Sequence, residues 1–252
     1  MNQAAQKTKI EFAPGDVVSE AFQTGPLSTD KERQGAARSN MYALLADVFR
    51  YPDAAFRSFA RNGELTDSLK NIITALPFLY ELSDQEAKAL LIPDTLSDDD
   101  FEAEFIRLFE AGPGDPPCSL VEGKHNKDAN RRAIFEDLIR FYNHFGLSYK
   151  EGPQEDRPDH ISFELEFMHY LAFLTLRAVQ ENKSTHGYLQ AQKDFLEHHL
   201  YKWAPKLAER MQEIVAEIGT PDAVVVFYDG LTHILDRFIA ADFTHLKKAL
   251  AD

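Results

Sequence analysis

Residues 157–180 read RPDHISFELEFMHYLAFLTLRAVQ, and this stretch decides the fold. Ile161, Leu165, Met168, Ala172, Leu176 and Val179 recur at helical spacing, and Phe163, Phe167, Leu171 and Leu174 form a second stripe beside them. A helix apolar over so much of its circumference belongs in the middle of a fold. Pro158 suits the first turn of that helix, because its fixed φ is helical and its missing N–H has no intrahelical partner there. Outward from this segment the patterns stay helical. Met41, Leu44, Leu45, Val48 and Phe49 mark an early helix that stops at Tyr51-Pro52. Leu65, Leu69, Ile72, Ile73 and Leu76 mark a second, ending near Pro77. Ser97 is an N-cap with Asp100 at the third helical position, and Leu96 and Phe101 have the spacing of a hydrophobic staple. Phe101, Phe105, Leu108 and Phe109 form the buried stripe of that third helix. Ile134 to Phe145 carry another, with Gly146 as C-cap. Three further patterns run through Tyr188–Leu196, Leu207–Ile218 and Thr220 onward. Val224-Val225-Val226 favours a strand locally. No second alternating run exists to pair with it, so helix is retained. The expectation is an all-α fold in one globular multi-helix domain over 36–252, preceded by a flexible arm over 1–35 and carrying a hinge at 150–158.

The chain of 252 residues carries a formal net charge of −14 and one cysteine, Cys118. The charge argues against nucleic acid as a partner, since phosphate binding needs a basic footprint. A single cysteine excludes an internal disulfide framework and any Cys-rich metal cluster. No apolar run approaches a membrane span, and Met1 to Asp16 lack the order of a secretory signal. A soluble, cytoplasmic protein is expected. No phosphate-cradling loop, dinucleotide fingerprint, nucleophile elbow or His-Glu-x-x-His is present.

Several constellations carry chemistry. Glu166-Phe167-Met168-His169 is a Glu-x-x-His on the central helix, a spacing that di-metal bundles use because positions i and i+3 share a face. Its one other match, Glu122-Gly123-Lys124-His125, lies in the loop at 112–126, GPGDPPCSLVEGKHN. A helical di-metal carboxylate enzyme built on Glu166 and His169 is therefore the alternative function. The ordinary reading of those two residues is a polar face on a large helix. His198 and His199 point apart on a helix and are expected at the surface. Cys118 with His125 has the residue types of a nucleophile and base, but nothing marks a third, orienting group. The Gly/Pro loop itself imposes a stiff path, and a rigid crossover between helices is its ordinary reading.

Arg157-Pro158-Asp159-His160 opens the central helix. A carboxylate there is favoured by the helix dipole alone. The functional reading is an exposed Asp159/His160 pair that accepts hydrogen bonds from a guanidinium, which pairs with carboxylates in a bidentate, charge-assisted way. Charge is uneven. Glu81 to Glu110 hold ten acids against Lys88 and Arg107, and Glu151 to Tyr170 hold six against Arg157. Such runs are usually solvated faces. Beside two Pro-bearing loops they also frame a groove for a cationic segment.

These residues resemble a known family. The helix ending at Tyr51-Pro52, the segment Phe105 to Lys124 (FIRLFEAGPGDPPCSLVEGK) and Arg157 to Ala172 (RPDHISFELEFMHYLA) look like the TorD/DmsD/NarJ-like chaperones that mature molybdenum enzymes of the dimethyl sulfoxide reductase superfamily. The likeness spans about residues 39 to 240. The Pro-Pro-Cys-Ser-Leu loop is most similar to accessory proteins of periplasmic nitrate-reductase-like or hydrocarbon- and sulfide-oxidising dehydrogenases. The Arg157 position departs from many relatives, and the N-terminal arm has no counterpart there. The resemblance implies a binding protein without catalytic residues, metal or cofactor of its own. Its implied partner is the precursor of a molybdopterin-containing catalytic subunit, held by its twin-arginine signal peptide or N-terminal region before cofactor insertion and export. It places peptide binding at Asp159 and His160 first, with Pro158, Glu122, Tyr51 and Glu164 beside them. Both a monomer and a homodimer swapped at the 150–158 hinge fit that reading.

Overall fold

The computed structural model describes residues 10–12, 26–111, 114–126, 130–149 and 157–251. Gly112 and Pro113 of the loop, residues 150–156 of the expected hinge, and most of the expected arm lie outside the described residues. Two short strands, β1 (Ile10–Phe12) and β2 (Leu147–Tyr149), pair in parallel with Ile10 opposite Leu147. All else that is regular among the described residues is helix: α1 (Asp30–Val48), α2 (Ala54–Arg61), α3 (Glu64–Thr74), α4 (Asp84–Ala89), α5 (Asp98–Phe109), α6 (Glu122–His125), α7 (Arg131–His144), α8 (Ile161–Gln180), α9 (His186–His198), α10 (Leu200–Ile218) and α11 (Ala223–Ala251). The all-α expectation holds.

α8 sits at the centre, as its two apolar stripes require. Of its residues only Leu174, Arg177, Val179 and Gln180 are not buried. α1 packs along it, and α9, α10 and α11 close around the pair. One core runs from Ala37 to Leu246 and includes Trp203, Phe163, Phe167, Phe195 and Phe238. Each large apolar side chain taken fully out of water contributes about 1.5–3 kcal/mol, so this core supplies most of the driving force.

Local chemistry sets the helix ends. α1 starts at Asp30, inside the stretch read as an arm, because Thr29 and Glu32 form a capping box. Glu32 N–H donates to Thr29 Oγ1 at 3.2 Å, and Thr29 N–H donates to the Glu32 carboxylate at 2.7 Å. Ser97 caps α5 as expected, accepting from Asp100 N–H at 3.1 Å, with Phe101 buried beneath it. Gly146 follows α7 with φ 82°, the left-handed conformation a helix stop favours. The three valines at 224–226 are helical. Asp222 accepts from Val224 N–H at 2.8 Å and Val225 N–H at 3.0 Å, a cap that outweighs β-propensity.

A polar network crosses the apolar core. Arg38 on α1 donates to Asp242 on α11 from Nε at 2.5 Å and from Nη2 at 2.8 Å, and Tyr42 OH donates to the same carboxylate at 2.8 Å. Arg38 Nη2 also reaches Gln192 on α9 at 2.7 Å, and Gln192 donates to Thr175 on α8 at 2.7 Å. Four helices are thereby tied in one register.

Candidate functional site

The Pro/Cys loop and the start of α8 meet edge to edge. Ile161 N–H donates to Leu120 O at 2.9 Å, Glu122 N–H donates to Asp159 O at 2.9 Å, and Val121 bridges His160 in antiparallel sense. Tyr142 OH on α7 donates to Pro158 O at 2.9 Å and fixes the approach to α8 from the other side. The loop is also tied at its front. Cys118 N–H donates to Leu108 O at 2.9 Å, and Arg210 on α10 donates to Pro117 O at 3.0 Å.

This junction assembles Pro158, Asp159, His160, Glu122 and Glu164, so five of the six expected site residues are neighbours. Their environment differs from the expected one. Asp159 is not exposed: its carboxylate is fully buried. It precedes the helix rather than lying in the first turn, because His160 is the N-cap of α8, accepting from Ser162 N–H at 3.3 Å. One carboxylate oxygen of Asp159, Oδ2, accepts from Arg157 Nη2 at 2.8 Å and from Gly123 N–H at 3.1 Å. The other, Oδ1, has no partner among the described residues.

Glu122 opens the short helix α6 and is buried against His199, whose Nδ1 lies 2.8 Å from its Oε2. Glu164, one turn into α8, accepts from Trp203 Nε1 at 3.2 Å, and its second oxygen has no partner among the described residues. Burial, and then the charge of Glu122, push the Glu164 carboxyl well above the usual carboxylate range. The protonated form is thereby favoured in the fold. The acids at 159, 164 and 166 are interior groups and do not form the acidic rim expected of the 151–170 stretch. Cations cover the junction instead. The Arg157 and Arg131 guanidinium groups both lie over the Phe135 ring, at 5.2 and 5.5 Å from its centroid. Next to them, Asp115, Pro117, Lys124, His125, Lys206 and Arg210 line a cavity of about 310 Å³.

Tyr51 is the residue the fold places apart. Its OH donates to Glu102 at 2.7 Å and its ring meets Phe105 edge-on, beside a cavity of about 480 Å³ lined by Leu44, Val48, Phe56 and Phe59.

One other expectation is corrected. His199 is buried, not at the surface, because the chain breaks between α9 and α10 at that residue and turns its ring inward, while His198 remains exposed. Burial pushes the Cys118 thiol up to about 12, and His125 spends its Nε2 on Ser119 O at 2.6 Å, so the two are no nucleophile and base. Glu166 is ion-paired with Arg50, and His169 Nδ1 lies 2.9 Å from Ser39 Oγ. Among the described residues no group of three or more metal-binding side chains gathers.

Sequence reasoning missed His199, Trp203, Gly123, Arg131 and Phe135. Trp203 is the chain's single tryptophan, a signal available in the sequence. The others depend on which helices meet. Chemically, the junction offers buried carboxyl oxygens without a partner among the described residues, beside the Arg157 and Arg131 guanidinium groups. It suits binding of a basic group and holds no activated nucleophile.

The profile of the nitrate reductase delta subunit family matches residues 62–209. The chain is 34% identical over 216 residues to the perchlorate reductase assembly chaperone protein of Dechloromonas aromatica, covering 85% of this chain and 90% of that one. It is 30% identical over 177 residues to the selenate reductase assembly chaperone protein of Thauera selenatis, covering 70% and 77%. It is 24% identical over 174 residues to the chaperone protein TorD of Vibrio cholerae, covering 68% and 73%. The match to the family profile spans more than half of an all-α chain, and the paired loop and helix start lie within it: the protein belongs to the nitrate reductase delta subunit family.

Proposed function

We propose that this protein is an assembly chaperone that acts in the cytoplasm on the precursor of a molybdopterin-containing catalytic subunit. It holds the twin-arginine signal peptide or N-terminal region while cofactor is inserted, and it does no chemistry itself. The observation that carries this reading is the junction of the loop with α8, where Asp159, Glu122 and Glu164 lie buried together and two carboxyl oxygens have no partner among the described residues. Buried polar atoms are almost always satisfied, so oxygens of this kind mark a place where a hydrogen-bonding partner belongs. A twin-arginine segment brings guanidinium donors followed by apolar residues. The relatives named as assembly chaperones of perchlorate and selenate reductases support the same client class. No helix among the described residues is long and apolar enough to cross a membrane.

The test is a tagged pull-down from the native cytoplasm, with bound proteins identified by mass spectrometry. One dominant partner with an uncleaved twin-arginine leader and a molybdopterin-enzyme catalytic domain is expected. Recovery of the protein alone, or with unrelated proteins, would overturn the reading. In the same assay Asp159→Asn, which keeps the volume and removes the charge, is expected to lower recovery of the partner severalfold. Wild-type binding also weakens as salt rises, since the attraction is between charges. Undiminished recovery by that variant would take Asp159 out of the site.

A further inference from the structure

We propose that Arg157 is a built-in stand-in for the partner's arginine, seated on Asp159 in the free protein and displaced when the partner binds. The inference deepens the proposed function and rests on it. Asp159 is fully buried, yet the guanidinium that satisfies it comes from a side chain that is 29% exposed, so the cover over this acid opens to solvent. Arg157 leaves the pairing incomplete. Only Oδ2 of Asp159 is engaged, Oδ1 has no partner among the described residues, and neither does Nε of Arg157. A fork-on-fork guanidinium–carboxylate pair would use both oxygens, so the resident arginine is a poorer occupant than the geometry of the acid permits. Arg157 stands two residues before the acid it pairs with, and its own carbonyl accepts from His160 N–H at 2.9 Å, so its guanidinium is held on a short tether.

The second arginine on the same ring extends the likeness. Arg131, at the start of α7, is exposed and stacks on Phe135 beside Arg157. The free protein thus holds a pair of its own guanidinium groups over one aromatic ring at the mouth of the buried acids. An incoming segment with adjacent arginines offers the same two groups without the tether. A self-occupied site binds its partner more weakly by the fraction of molecules in which it is open, and it excludes single cations that cannot compete with a tethered one. That gives selectivity for a paired-arginine segment over ordinary basic peptides.

The test uses the full chain as wild type, Arg157→Gln and Arg157→Ala, and each with Asp159→Asn added. The probe is a fluorescein-labelled peptide with two adjacent arginines followed by a leucine- and alanine-rich stretch, read by anisotropy. Removing Arg157 is expected to tighten binding about tenfold, as when about a tenth of the wild-type molecules are open. Asp159→Asn abolishes that gain. Binding that is equal or weaker without Arg157, while wild type binds, would overturn the stand-in and leave the proposed function intact. A second readout needs no peptide: millimolar arginine amide is expected to raise the Tm of Arg157→Ala but not of wild type or the double variant. If no form binds the peptide, the proposed function fails, and the absence or presence of that Tm shift decides whether the guanidinium seat exists. Arg157→Gln, close to isosteric, keeps the binding arm readable should Arg157→Ala not fold.

Discussion

Glu164 shows how one buried group sets the character of the site. Burial, followed by the charge of Glu122, raises its pKa, so the folded protein holds a proton that the unfolded chain releases near the ordinary value of 4.5. Stability contributed by this group is full below that value and is lost as pH rises toward the elevated folded pKa. Glu164→Gln imitates the protonated form at every pH. The Tm difference between variant and wild type is therefore expected to grow in the variant's favour from about pH 5 to pH 8. A difference that stays flat would mean that Glu164 is ionised in the folded state. The single-residue level was the least legible in the sequence. Asp159 and Glu122 were recognisable as functional candidates, but their burial was not. A carboxylate after a proline reads as a solvated helix start unless the neighbouring loop is known to cover it.

At the level of elements, the decisive feature is the close approach of α6 to the start of α8. Gly123 donates its N–H to Asp159 Oδ2, and a Cβ at that position would lie 3.1 Å from the same oxygen. A side chain here would press on the carboxylate. Gly123→Ala is expected to cost about 1–2 kcal/mol in urea unfolding and to weaken partner binding together, as the loop lifts from Asp159. Unaltered stability and binding would show that the two elements have slack. Helix starts at Ser97 and the stop at Gly146 were readable, since capping is a local interaction within a few residues. α2, α4 and α6 were not read, because helices this short lack the turns needed to show a period. The apolar period begins later than α1 itself, although Thr29-x-x-Glu32 carries a local signature of its start.

For the whole molecule, the buried pair of Arg38 and Asp242 joins the first and last helices through Tyr42, Gln192 and Thr175. Its worth lies in specifying one arrangement of α1, α8, α9 and α11 around the apolar core. Removing one partner strands a charge in the interior, so Asp242→Ala is expected to lose about 3–5 kcal/mol in urea unfolding. Arg38→Met combined with Asp242→Leu recovers much of that loss. A loss below about 1 kcal/mol for Asp242→Ala would show that water reaches Arg38.

The helical class, the central place of the 161–180 helix and the candidate segments 105–124 and 157–172 follow from the sequence. Helical period, caps and proline stops are local, and a doubly striped helix can be satisfied only from all sides. It is the tertiary structure that makes the acids at 122, 159 and 164 interior, sets Tyr51 apart from them with Glu102, and seats Arg157 on Asp159 with Arg131 beside it over Phe135. Burial and pairing depend on which helix lies against which, and residues far apart in sequence settle that by packing. Local spacing carries no record of it.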